Sequence, residues 1–204
     1  MDISTTLQSS IYYISAYLLY PVIIALLLSV AFILVDTGSF LYETYMRFSG
    51  RWVFEFDGEI VSGRFVAAFL TQLDDMNRDD KNFEAKLQKH LNDVEYLISK
   101  RLEKTRLIAR IGPMLGLMGT LIPMGPALIG LSHGDIETLA ENLIIAFGTT
   151  VVGLLVGAVS YSIAMIRTRW YDRDMDDMEF ISEILTGEEH DEIHEETEKR
   201  KETV

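Results

Sequence analysis

Asp36, Thr37, Gly38 and Ser39 follow an apolar run. An aspartate in that setting is the residue type that activates water for peptide hydrolysis. The chemistry needs two carboxylates sharing a proton, each held on a loop of a β-rich domain. No second Asp-Thr-Gly occurs, the strand pattern is thin, and the run before Asp36 has the length of a helix. The tetrapeptide is therefore expected to stop a helix and turn the chain, not to cut peptides.

A second set of groups is polar without being charged. Thr120, Thr149 and Thr150 lie among glycines in long uncharged stretches. A hydroxyl both donates and accepts, so rings of threonine at one depth can line a narrow wet path or hydrogen-bond a partner's carboxyl group. Around them, Gly112, Gly116, Gly119 and Thr120 fall on one helical face, and Ala146, Thr149 or Thr150, Gly153, Gly157 and Ser160 on another. Small residues at such spacing let helices approach closely in lipid, where the hydrophobic effect no longer drives association. Plain helix packing and a lined ion path both use such faces.

The elements that must position these residues are set by a segregation of charge. No charged residue occurs from Ile3 to Val35, from Ile111 to Gly134, or from Asn142 to Ile166. A helix needs about 20 apolar residues to cross roughly 30 Å of hydrocarbon, and each run meets that length. Three transmembrane helices are expected near 14–35, 111–131 and 143–166. The first is expected to be retained, because residues 1–10 hold no Lys or Arg and Tyr12, Tyr13, Tyr17 and Tyr20 cluster where a span meets head groups. Segment 36–106 holds eleven Lys and Arg and the stretch after Ile166 holds six, whereas the N-terminus and the 132–141 connection hold none. The positive-inside rule then places the N-terminus outside and both long segments in the cytoplasm of a cell-membrane protein.

Between the first two spans, Leu41 to Met76 is ambiguous: "RWVFEF" alternates, "DGE" could turn, and "GRFVAAFLTQL" suits a short helix. Beyond it Phe83, Leu87, Leu91, Val94, Ile98 and Leu102 recur at helical steps, predicting an amphipathic helix that continues into the second span as one rod. Its apolar stripe needs cover, from a neighbouring subunit or from the 41–76 segment. Pro123 and Pro126 are expected to break or kink the outer end of the second span. The net charge of -13 arises mostly in the tail after Ile166, where "GEEHDEIHEETEKRKETV" is read as a solvated acidic extension, which argues against nucleic acid as a partner. The absence of Cys excludes a disulfide framework and thiol chemistry.

The stretch "GPMLGLMGT", Gly112 to Thr120, resembles the Gly-Pro-Leu-Leu-Gly-Leu-Leu-Gly-Thr opening of the second span in the MotA/TolQ/ExbB proton-channel family. "LIIAFGTTVVGLLVGAVSY" is similar to the family's Thr-x-x-Gly-Leu stretch, with Thr150, Gly153 and Leu154 in those places. The first 80 residues and the acidic tail carry no diagnostic motif, and Glu141 stands farther from Thr150 than the family's glutamate does from its threonine. The resemblance implies a homo-oligomeric ring, a pentamer, whose inner wall is built by the second and third spans. It also implies a smaller single-span partner of the ExbD/TolR/MotB kind, whose intramembrane aspartate takes and releases the proton. That agrees with the three spans, none of which has an ionisable side chain in its core, so that a proton carrier must come from elsewhere.

The expected architecture is an all-α, ring-forming membrane protein with three transmembrane helices and long cytoplasmic helical extensions. Its divisions are 1–35 (outside and first span), 36–106 (cytoplasmic), 107–166 (pore hairpin) and 167–204 (acidic tail). The expected function is energy transduction driven by ion flow, without catalysis or cofactor; the family likeness implies protons, and sodium is the open alternative. Thr120, Thr150 and Thr149 are the expected lining residues, and Gly112, Gly116, Gly119, Gly153 and Gly157 the packing residues. The competing expectation is a structural or secretion-type membrane scaffold without ion flow.

Overall fold

The structure is a computed structural model describing residues 3–50, 53–56, 59–73 and 82–202. In chain order it contains α1 (Ile3–Phe48), β1 (Val53–Phe56), β2 (Glu59–Ser62), α2 (Arg64–Leu73), α3 (Phe83–Ser132) and α4 (Ile136–Glu202). Three of these helices are long and apolar enough to cross a membrane. At 1.5 Å per residue the 50 residues of α3 extend roughly 75 Å, more than twice the hydrocarbon thickness, so a single span uses less than half of it.

One compact unit comprises Met1–Phe40 and Glu103–Met165. Its apolar contacts include Ile33 of α1 with Val156 and Ile163 of α4, flanked by Val30, Phe40, Ile108, Val152 and Val159. Leu27, Leu28, Leu34 and Val35 face outward from α1, as side chains do against hydrocarbon. Here the expectation for Asp36-Thr37-Gly38-Ser39 is overturned. All four are helical, and α1 continues beyond them to Phe48. Asp36 does not leave the helix because its carboxylate accepts a hydrogen bond from the buried Thr105 hydroxyl at 3.0 Å. A glycine inside a helix costs about 1 kcal/mol relative to alanine, too little to end α1 at Gly38.

A second correction concerns the prolines, which do not break the helix. Pro123 and Pro126 lie inside α3, which runs without interruption to Ser132. A proline removes one donor and leaves the rest of the ladder available, and a helix in lipid has no water to satisfy a broken one. The chain turns instead at Gly134, whose φ of 74° suits glycine, and Asp135 then caps α4. The Asp135 carboxylate accepts from the Thr138 amide at 3.0 Å and from the Thr138 hydroxyl at 2.6 Å, bonds that hold its pKa below the usual value.

The other unit comprises Leu41–Leu102 and Ile166–Val204. α1 ends before Gly50, whose φ is 68°. An antiparallel hairpin follows, with Val53 opposite Ser62 and Phe56 opposite Glu59. The alternating "RWVFEF" thus supplies a strand, a small departure from an all-helical chain, while Asp57 and Gly58 of the expected turn lie outside the described residues. The predicted stripe on α3 is buried throughout: Phe83, Leu87, Leu91, Val94, Ile98 and Leu102 join one core. Val66 and Phe69 of α2 cover it, together with Tyr171, Met178, Ile181 and Leu185 of α4. The side chains of the acidic "GEEHDEIHEETEKRKETV", like those of Tyr12 and Tyr13, lie outside the described residues, although the α4 backbone is helical to Glu202.

Candidate functional site

Within the first unit, α3 and α4 meet at their small residues. A Cβ added to Gly112 would lie 3.0 Å from the Gly153 carbonyl oxygen, and one added to Gly116 would lie 3.2 Å from the Gly153 Cα. One on Gly157 would lie 2.5 Å from Cγ of Pro113. At Gly119 the space is filled by Thr149, whose Oγ1 would be 2.5 Å away. The glycines therefore create an approach of two backbones that larger side chains forbid.

The three threonines differ in their surroundings. Thr149 is 9% exposed, and its hydroxyl is shared between the Ile145 and Ala146 carbonyls at 3.0 and 2.9 Å. Thr150 is half-buried and donates to the Ala146 carbonyl at 3.1 Å. Thr120, also half-buried, donates to the Leu117 carbonyl at 2.7 Å. Each donor is thus satisfied by its own helix, while the oxygen retains acceptor capacity. No charged side chain occurs in 111–134 or 142–166. Among the described residues no group of three or more His, Cys, Asp or Glu could hold a metal ion.

The second unit holds a polar cluster that the sequence reading missed. Glu43 of α1 is 2% exposed and lies between Arg167 and Arg101, with Arg167 Nε at 3.3 Å and Arg101 Nη2 at 3.4 Å. The Tyr171 hydroxyl donates to Glu43 Oε1 at 2.9 Å, and burial, aided by the Glu43 charge, pushes its pKa upward. Nearby, Arg47 Nη2 reaches both oxygens of the fully buried Asp174, at 2.9 and 2.7 Å. Burial raises the Asp174 pKa to about 6, against the opposing pull of Arg47. A buried ion group of this kind needs every partner, since removing one leaves an uncompensated charge. A signal was available: Tyr171, Asp174, Met178, Ile181 and Leu185 recur at steps of three and four, a stripe obscured by the surrounding acids.

No curated protein and no solved structure matches the chain. The family model of the MotA/TolQ/ExbB proton channels matches residues 58–180, which include α2, α3 and both small-residue faces. Since that match extends over more than half of the sequence, this chain belongs to the MotA/TolQ/ExbB proton channel family.

Proposed function

We propose that the chain is the ring-forming subunit of a proton-driven motor that couples ion flow to work on a smaller single-span partner carrying an intramembrane carboxyl group. Family membership supports the energy-transducing role. The observation that carries the finer reading is the pairing of a glycine-lined α3–α4 contact with half-buried Thr120 and Thr150 hydroxyls in stretches free of charge. A carboxyl group entering such a stretch costs roughly 2.5 to 3.5 kcal/mol at the bilayer centre if unpaired, and hydroxyl oxygens offset part of that cost. Thr120 and Thr150 are the proposed lining residues. Thr149, packed against Gly119, sets the helix separation beside them.

Five copies form the proposed ring, with the N-terminus outside and the long segments 36–106 and 167–204 in the cytoplasm. A potential of 100 mV supplies roughly 2.3 kcal/mol per charge, so a few protons per cycle suffice for a large rearrangement. The test is proton flux into lipid vesicles containing the chain together with its single-span partner. Potential-driven flux requiring both proteins is expected. A stable ring that never conducts, with any partner bearing an intramembrane Asp, would assign the chain to the scaffold class instead.

A further inference from the structure

Arg47, in the last turn of α1, and Asp174, on α4, belong to the unit of 41–102 and 166–204 and lie beyond the expected 143–166 span. Asp174 has no exposed surface, while 15% of the Arg47 side chain is exposed. The Asp174 carboxylate occupies the space that a Cβ on Gly63 would fill, so glycine there makes its cradle. The Arg47 guanidinium also stands 5.0 Å over the ring of Trp170. Its hold is incomplete, because Arg47 Nε is buried without a hydrogen-bond partner. One end of this pair is sealed and the other is next to solvent.

We propose that Arg47 and Asp174 form an acid-released latch between the end of α1 and α4, closed while Asp174 is ionised and opened when it takes a proton from water. The groups acting on Asp174 are Arg47 and Glu43 from α1 and Asp177 from α4, while Gly63 contributes backbone alone. Arg47 favours the ionised form; burial and the two acids oppose it, and they prevail. Once Asp174 is neutral, it fits the Gly63 cradle without a cation. Arg47 keeps its charge at any relevant pH, so it loses its ion pair and moves toward water, away from Trp170. The regulatory sense of the latch rests on the orientation proposed above, in which this unit faces the compartment that receives the protons. The latch itself does not depend on conduction.

The chain has two tryptophans, so Trp52→Phe leaves Trp170 as the sole reporter in the full-length protein in lipid nanodiscs. Its emission is expected to change with a midpoint near pH 6, with the step absent in Asp174→Asn and flattened in Arg47→Gln. His90, stacked on Phe69, titrates below its usual value and is the control: His90→Gln should leave the step intact. A full step in Asp174→Asn or in Arg47→Gln, or its loss in His90→Gln, would overturn the proposal. Should Asp174→Asn not fold, the carboxyl infrared band of the wild-type chain decides. A spectrum with no buried carboxyl titrating between about pH 5 and 7 would also overturn it.

Discussion

Gly153 of α4 stands so close to Gly116 of α3 that a methyl group on Gly153 would lie 2.7 Å from the Gly116 Cα. The atoms it would meet, Gly112 O and Gly116 Cα and N, belong to the backbone, which cannot swing aside as a side-chain end can. Gly153→Ala should therefore force the helices apart, at about 1–3 kcal/mol. Gly148→Ala, where an added Cβ meets nothing within 4 Å, is the matched control. Denaturation in mild detergent should separate the two; equal stability would show that this contact relaxes freely.

Thr150→Val and Thr120→Val nearly conserve shape while removing an acceptor oxygen. If both line the ion path, each ring should assemble normally and lose most of its partner-dependent flux. Thr149→Val should instead act through packing against Gly119, altering assembly or stability at least as much as flux. Native mass spectrometry and vesicle flux at matched protein levels check both halves, and wild-type flux in the Thr120 and Thr150 variants would remove them from the path.

Leu91 is buried in the core formed by α2, α3 and α4. Leu91→Lys places an unpaired charge in an apolar contact and should cost a few kcal/mol. Loss of helical signal at lower temperature is the expected readout, whereas unchanged melting would mean that the stripe is open.

The raised pKa of Asp174 fixes the sign of a pH effect. Folding lifts it from 3.8 to about 6, so the folded chain binds a proton in this window that the unfolded chain releases. Its contribution to stability is full below about pH 4 and is lost as pH rises through 6, a change of about 3 kcal/mol. Stability curves of wild type and Asp174→Asn between these limits should diverge by that slope. Parallel curves would contradict the assignment.

Much of this fold was legible because charge-free runs of membrane length, and the steps from Phe83 to Leu102, each point to one periodicity. The Asp36 segment was misread because its local turn signal is weak beside the packing of α1, including the bond from Thr105, a residue distant in sequence. Arg47, Glu43, Arg167 and Asp174 were illegible for a related reason. A charged residue in a helix reads as solvated until the elements that bury it are known, and here the partners come from α1, α3 and α4. The glycine faces were readable from spacing alone, but spacing could not distinguish the surroundings of Thr149 from those of Thr150.

The short connection through His133, Gly134 and Asp135 gives the α3–α4 contacts a nested order. Gly130 meets Thr138 next to the turn; Gly119 with Thr149, Gly116 with Gly153, and Gly112 with Gly157 follow, each pair enclosing the one before. Closing such pairs in sequence adds little chain entropy at each step, whereas joining the far ends first would close the whole loop at once. The two helices should accordingly zip from the turn outward during biogenesis and, under force applied to their far ends, separate first at Gly112 and Gly157.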